Sequence, residues 1–150
     1  MTVTVTNPET IRDEVATFLT GDLVGAGLPA QAVYNYARSD FGGASPVVLV
    51  VSNGDTFNRH SNNERVKGSI YLQVLIFVLY TDEASNWTEA DCEDRLNLVK
   101  KIALESIFNN QFSPARSIFI DGKSTIVPAN VGGEDYQMET VPLRVEVFNG

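Results

Sequence analysis

The stretch that decides the fold is Tyr71-Leu-Gln-Val-Leu-Ile-Phe-Val-Leu-Tyr80. Gln73 is its only strongly polar residue. A strand with one wet face alternates apolar and polar side chains, because successive residues point to opposite faces. This stretch does not alternate, so both of its faces need cover. Ten residues, nine of them apolar, are also too few for a membrane-spanning helix, which needs about 20. The segment therefore reads as a central strand. The upstream run Val47-Val-Leu-Val-Val-Ser52, short and rich in β-branched residues, reads as a buried neighbour.

Between these strands lies Asn53-Gly-Asp-Thr-Phe-Asn-Arg-His-Ser-Asn-Asn-Glu-Arg-Val-Lys-Gly68, with four asparagines and few apolar residues. The pattern predicts a hairpin with an extended polar loop. Most hairpin loops hold about two to five residues, and much longer ones tend to be functional. Asn58, Arg59, His60, Asn62, Glu64, Arg65 and Lys67 are the candidate contact residues of this loop.

Outward from the hairpin, Asn7 and Pro8 suit an N-cap and first helical position. Ile11, Val15, Phe18 and Leu19 follow one helical stripe, and Gly21 is placed to end it. Residues 32–37, Ala-Val-Tyr-Asn-Tyr-Ala, suggest a strand. Downstream, Thr88 with Asp91 forms a variant capping box ahead of a helix from Glu89 to about Asn109. Leu96, Val99, Ala103 and Ile107 form its apolar face, widened by Leu98, Ile102 and Phe108. Residues 117–122 and 124–128 are short strand candidates around an Asp-Gly turn. In the closing strand, residues 135–149, Leu143, Val145 and Val147 alternate with Arg144, Glu146 and Phe148. Pro142 lacks a ladder donor and is expected at an edge or bulge.

The expected fold is α+β in one domain spanning residues 1–150. A mostly antiparallel sheet carries the long helix and the N-terminal helix on one face, with the extended hairpin loop projecting. The opposite face of strand 71–80 is then too apolar to meet water. A neighbouring subunit is the expected cover, and C-terminal strands folding over it are the alternative.

Composition narrows the function. The chain has 150 residues, 43% hydrophobic and 20% charged, with a formal net charge of −8. That balance repels nucleic-acid phosphates and anionic membranes. Its single cysteine rules out an internal disulfide framework and multi-cysteine zinc sites. The first ten residues show no secretory signal pattern, so the Asn86-Trp-Thr88 sequon carries no glycosylation expectation.

No catalytic, cofactor or metal constellation is expected. His60, the sole histidine, sits among polar loop residues and reads as solvated or interfacial. Cys92 begins the long helix, but Asp91, Glu93 and Asp94 oppose a lowered thiol pKa, so it reads as a small core residue. Residues 121–125, Asp-Gly-Lys-Ser-Thr, resemble the end of a phosphate loop. Ser117 stands where the first glycine would be needed, and the motif fails. Asp82 and Glu83 lack the ligand alternation of a calcium loop.

The order of elements resembles the tail terminator (tail completion) proteins of long-tailed bacteriophages. The resemblance rests on the opening helix 11–19, Ile-Arg-Asp-Glu-Val-Ala-Thr-Phe-Leu, and on the strand ending Val47-Val-Leu-Val-Val-Ser-Asn-Gly54. The polar hairpin tip, the strand 69–80, the helix 92–108 and the closing strand 136–150 follow in the same order. It implies a non-enzymatic virion protein at the tail–neck junction, made in the host cytoplasm. Its implied partners are further copies in a ring, typically hexameric, the major tail tube protein and the head–tail connector or neck protein. DNA would pass through the channel without specific binding. Within this resemblance the hairpin tip, which varies in length, would touch a neighbouring subunit or tube protein. Another head–tail connector or adaptor ring shares part of the pattern. A cellular α+β ligand-binding domain or small enzyme is the third reading, and it predicts a monomer or dimer with a pocket.

Overall fold

The structure is a computed structural model, and it describes residues 4–59, 66–81 and 86–149. Helix α1 (Pro8–Leu23) leads into β1 (Ala32–Tyr34), β2 (Val47–Arg59) and β3 (Val66–Leu79). Helix α2 (Glu89–Asn109) follows, then β4 (Phe112–Ser113), β5 (Arg116–Ile120), β6 (Thr125–Val131) and β7 (Glu134–Asn149). The architecture is α+β. Among the described residues the strands form one seven-stranded sheet, ordered β1-β2-β3-β7-β5-β4, with β6 also on β7. Every pairing is antiparallel except β1 with β2.

Both helices begin where side chains can satisfy their first N–H groups. The Asn7 carboxamide oxygen accepts from Glu9 N at 3.0 Å, with Pro8 in the first turn. At α2, Thr88 Oγ1 accepts from Asp91 N while the Asp91 carboxylate accepts from Thr88 N at 2.8 Å. Helix α1 does not stop at Gly21 but continues to Leu23, which is fully buried. Burial of that side chain outweighs the modest helix cost of one glycine. The C-terminus of α2 is closed by an arginine six residues beyond its cap Asn110, and this arginine also reaches back to α1. Arg116 Nη1 donates to the Asn110 carbonyl at 2.7 Å, and its Nε donates to Glu14 Oε1 at 2.8 Å. A cation at a helix C-terminus is favourable, and this one also ties α1 to α2.

Alternation along β3 separates two faces. Ile70, Leu72, Val74, Ile76 and Val78 enter one core with the stripes of both helices. Leu96, Val99, Ala103 and Ile107 of α2 are buried there, and Cys92 joins them. Leu98 and Phe108 do not widen that face as expected; both are exposed, because they lie on the flanks of a stripe set by residues 92, 96, 99, 103 and 107.

The hairpin corrects the sequence reading. Most of residues 53–68 are not loop. Pairing resumes at Asp55↔Ile70 and continues to Arg59↔Val66. Phe57 shows why the ladder extends: it faces Gly68, where any Cβ would sit 2.3 Å from its ring. Only glycine lets the aromatic ring lie across the strand and reach the core. The same portion of β3 is flanked by β7, down to Val66↔Asn149, so the polar half is integral to the sheet.

The C-terminal half differs too. β5 and β6 do not pair with each other across the Asp121–Gly122 turn. They lie end to end along β7, β5 on residues 143–147 and β6 on residues 134–140. The hairpin partner of β6 is β7, turned by Gly132 and Gly133 at φ 60° and 84°, the positive φ pair that a two-residue hairpin loop needs. Pro142 is therefore at neither an edge nor a bulge. Its carbonyl accepts from Asp121 N at 2.9 Å. Its missing N–H would face the Asp121 carbonyl, so the reciprocal bond of that pair is absent and the β5 ladder ends here, at the seam where β5 gives way to β6.

Candidate interaction surfaces

The helix-free face of the sheet divides into two regions. At one end Val47, Leu49, Phe77 and Tyr136 are buried under Phe41, which is itself 7% exposed. The Phe41 ring meets Phe77 and Tyr136 edge-on, with centroids 5.0 and 5.5 Å away. Segment 38–46 is pinned there by the Tyr136 hydroxyl, donating to the Ala44 carbonyl at 3.0 Å, and by Leu79 N, donating to Ser45 Oγ at 2.9 Å. This loop, rather than a second subunit or the C-terminal strands, covers that end. Burial raises the Tyr136 pKa, with Glu134 and Asp40 adding to it.

Beyond the plug, Val51, Leu75 and Met138 are half-buried and Val127 is exposed. Further along, the same face turns polar. A shallow depression of about 250 Å³ lies between the hairpin arm and β7, lined in part by Thr56, Asn58, Lys67, Ser69, Glu146 and Phe148. Lys67 Nζ stands 5.9 Å from the Phe148 ring, and the Arg144 guanidinium 5.0 Å from Phe119. Both are cation–π contacts on an open sheet surface.

Of the sequence-predicted contact residues, Asn58 and Lys67 are cross-strand partners on this face, and both are exposed. Arg59 pairs with Val66 and falls on the opposite face by alternation. His60, Asn62, Glu64 and Arg65 lie outside the described residues, as do Asp82 and Glu83. The structure adds Phe148, 48% exposed, and Thr56 and Ser69. Only strand register brings these together, so nothing local in the sequence marked them as neighbours. The outer edge of β2 is covered by β1 only over Val47–Leu49, and no described strand covers Val50 to Asn58.

Besides Arg116 with Glu14, the helix-covered side holds a second ion pair with a buried member. Glu139, 0% exposed, receives Lys100 Nζ at 3.0 Å. The Cys92 thiol is buried and its pKa is raised, by burial first and by Glu93 next. Among the described residues no group of three or more His, Cys, Asp or Glu side chains is arranged to hold a metal ion. No helix in them is long and apolar enough to cross a membrane. No protein-family model matches the chain, and no curated protein matches it.

Proposed function

We propose that this chain is a structural virion protein of a long-tailed phage that forms a closed ring at the head-proximal end of the tail tube. The ring, typically hexameric in the family the sequence resembles, ends tube growth and offers the joining surface for the head connector. A stack of identical rings grows while each new ring presents the same acceptor face. A terminator mates with the tube through one face and presents a different one beyond it. The net charge of −8 suits a channel that passes DNA without holding it.

The observation that carries this reading is the β2–β3 hairpin. One end is packed in the core, and the other carries polar side chains beside a partly uncovered apolar sheet face. Among the described residues its outer β2 edge has no strand neighbour from Val50 to Asn58. An arm so rigidly based and so polar at its far end is suited to contact a neighbouring copy or tube subunit without unfolding to do so.

The test is the double variant Asn58→Asp/Lys67→Glu, which changes charge on the open face and leaves the core untouched. Its circular dichroism and melting should match wild type. Sedimentation should show the ring dissociated, and electron microscopy should show tails of uncontrolled length or tails unjoined to heads. A wild-type chain that stays monomeric at every concentration, with or without purified tail tubes, would overturn the proposal.

A further inference from the structure

Asn53 and Gly54 stand out on chemical grounds independent of the ring reading. The ladder runs Ser52↔Leu72 and then Asp55↔Ile70, so two residues of β2 bulge opposite the single Tyr71. Both are exposed. Gly54 has φ 87°, and a Cβ built on it would meet nothing within 4 Å. The space beside its Cα is therefore open, and it carries no side chain of its own to hinder approach to its nitrogen. No described residue hydrogen-bonds the Asn53 carboxamide.

Four other asparagines have their carboxamides held by hydrogen bonds. The Asn7 carboxamide caps α1 and is followed by Pro8, which has no N–H. The carboxamides of Asn35, Asn110 and Asn130 donate to Asp13 at 2.7 Å, to the Ser106 carbonyl at 2.8 Å and to Asp135 at 2.9 Å. Each of these three precedes a residue with a side chain. The other Asn–Gly pair, Asn149–Gly150, has Asn149 in the ladder opposite Val66.

We propose that Asn53–Gly54 is a self-modifying site, at which the folded chain deamidates under ordinary solvent conditions. The Gly54 backbone nitrogen attacks the Asn53 side-chain carbonyl carbon. A C–N bond forms, the bond to the amide nitrogen breaks, and ammonia leaves with the backbone proton. The product is a five-membered succinimide, and no oxidant or reductant takes part. Water then opens the ring at either carbonyl. One opening gives aspartate; the other gives isoaspartate, in which the backbone runs through the former side chain. Both products add a negative charge beside Asp55. Isoaspartate also inserts a methylene into the bulge, where the ladder is already interrupted. The polar arm beyond it would thus change charge and direction with the age of the molecule.

The experiment is peptide mapping by mass spectrometry of the full chain held folded at mildly alkaline pH over time. A parallel sample is held in denaturant. Asn53 should be the first asparagine in the folded chain to gain the mass of amide-to-acid exchange, and it should yield two chromatographically separate isomers. Its rate in the folded chain should be no lower than in denaturant. The variant Asn53→Gln should lose the early conversion. Gly54→Asn should slow it; the positive φ strains any side chain there, so its melting temperature should fall, and its rate is compared at a temperature where it remains folded. Conversion of Asn35, Asn110 or Asn149 ahead of Asn53 in the folded chain would overturn the proposal. So would strong protection of Asn53 by folding.

Discussion

The two faces of β3 are built from one uninterrupted strand, yet they are covered by different means. On the helix side Ile70, Leu72, Val74, Ile76 and Val78 are each no more than 1% exposed. On the other, Phe77 is buried while Tyr71, Gln73, Leu75 and Leu79 are half-buried. Two helices supply a continuous apolar stripe across the first face. A loop supplies one phenylalanine to the second. Stability should therefore be concentrated on one side of the sheet and adaptable surface on the other.

The strongest test of that difference is Leu96→Asp, which places a charge without a partner in the helix–sheet core. It should cost more than about 4 kcal/mol, since it loses a buried leucine and desolvates a carboxylate. Unchanged thermal stability would mean that α2 is not docked through Leu96. Paired alanine variants measure the asymmetry directly. Leu72→Ala should cost about 3 kcal/mol, and half-buried Leu75→Ala about 1 kcal/mol. Equal shifts in denaturant midpoint would abolish the contrast between faces. Phe41→Ala should fall with the first of these, at about 3 kcal/mol, because Phe41 is the only large side chain of its segment seated on the sheet.

The Lys100–Glu139 ion pair sharpens the comparison in another way. Glu139→Ala leaves Lys100 without its partner, but that side chain is 30% exposed and can turn its ammonium to water. The expected cost is about 2 kcal/mol, below that of breaking a fully buried pair. Glu139→Leu, which fills the site with apolar volume, should recover most of it. If both variants are equally damaging, the carboxylate has a role beyond packing.

Thr88→Ala should have a small effect like that of Leu75→Ala, about 1 kcal/mol, through loss of the α2 cap. The Thr88 backbone N–H and hydroxyl hold Asp91 below the ordinary carboxylate pKa. A depressed folded pKa gives stability that is present above the unfolded value and is lost as pH falls through the folded one. Melting temperatures followed down the acid limb should therefore decline less steeply in Thr88→Ala. An unchanged acid slope would mean that the backbone N–H, which alanine keeps, holds the Asp91 carboxylate without help from the hydroxyl.

Much of the fold was legible in the sequence because much of it is local. Asn7, Pro8, Thr88 and Asp91 mark helix starts by satisfying N–H groups within three residues. The α2 stripe and the β7 alternation follow from 3.6- and 2-residue periods. The site was less legible. The polar segment 53–68 read as loop because side-chain pattern was the only signal available, whereas ladder bonds are made by backbone groups whatever the side chains. Asn58 and Lys67 were named as contact residues, but their opposition across the hairpin needed a register. The bulge that offsets it by one residue, and Gly68 making room for Phe57, decide that register.

What the sequence determined by itself was the set of elements and the demand of residues 71–80 for cover on two sides. That demand arises from the free energy of apolar surface, which depends on composition and period alone. The tertiary structure decided what answers it: two helices on one face, Phe41 at one end of the other. It also set β5 and β6 end to end along β7, with Pro142 at the seam where the β5 ladder ends. These choices join residues far apart in the chain. Their physical basis is shape complementarity and hydrogen-bond satisfaction between surfaces that exist only once the chain has closed on itself.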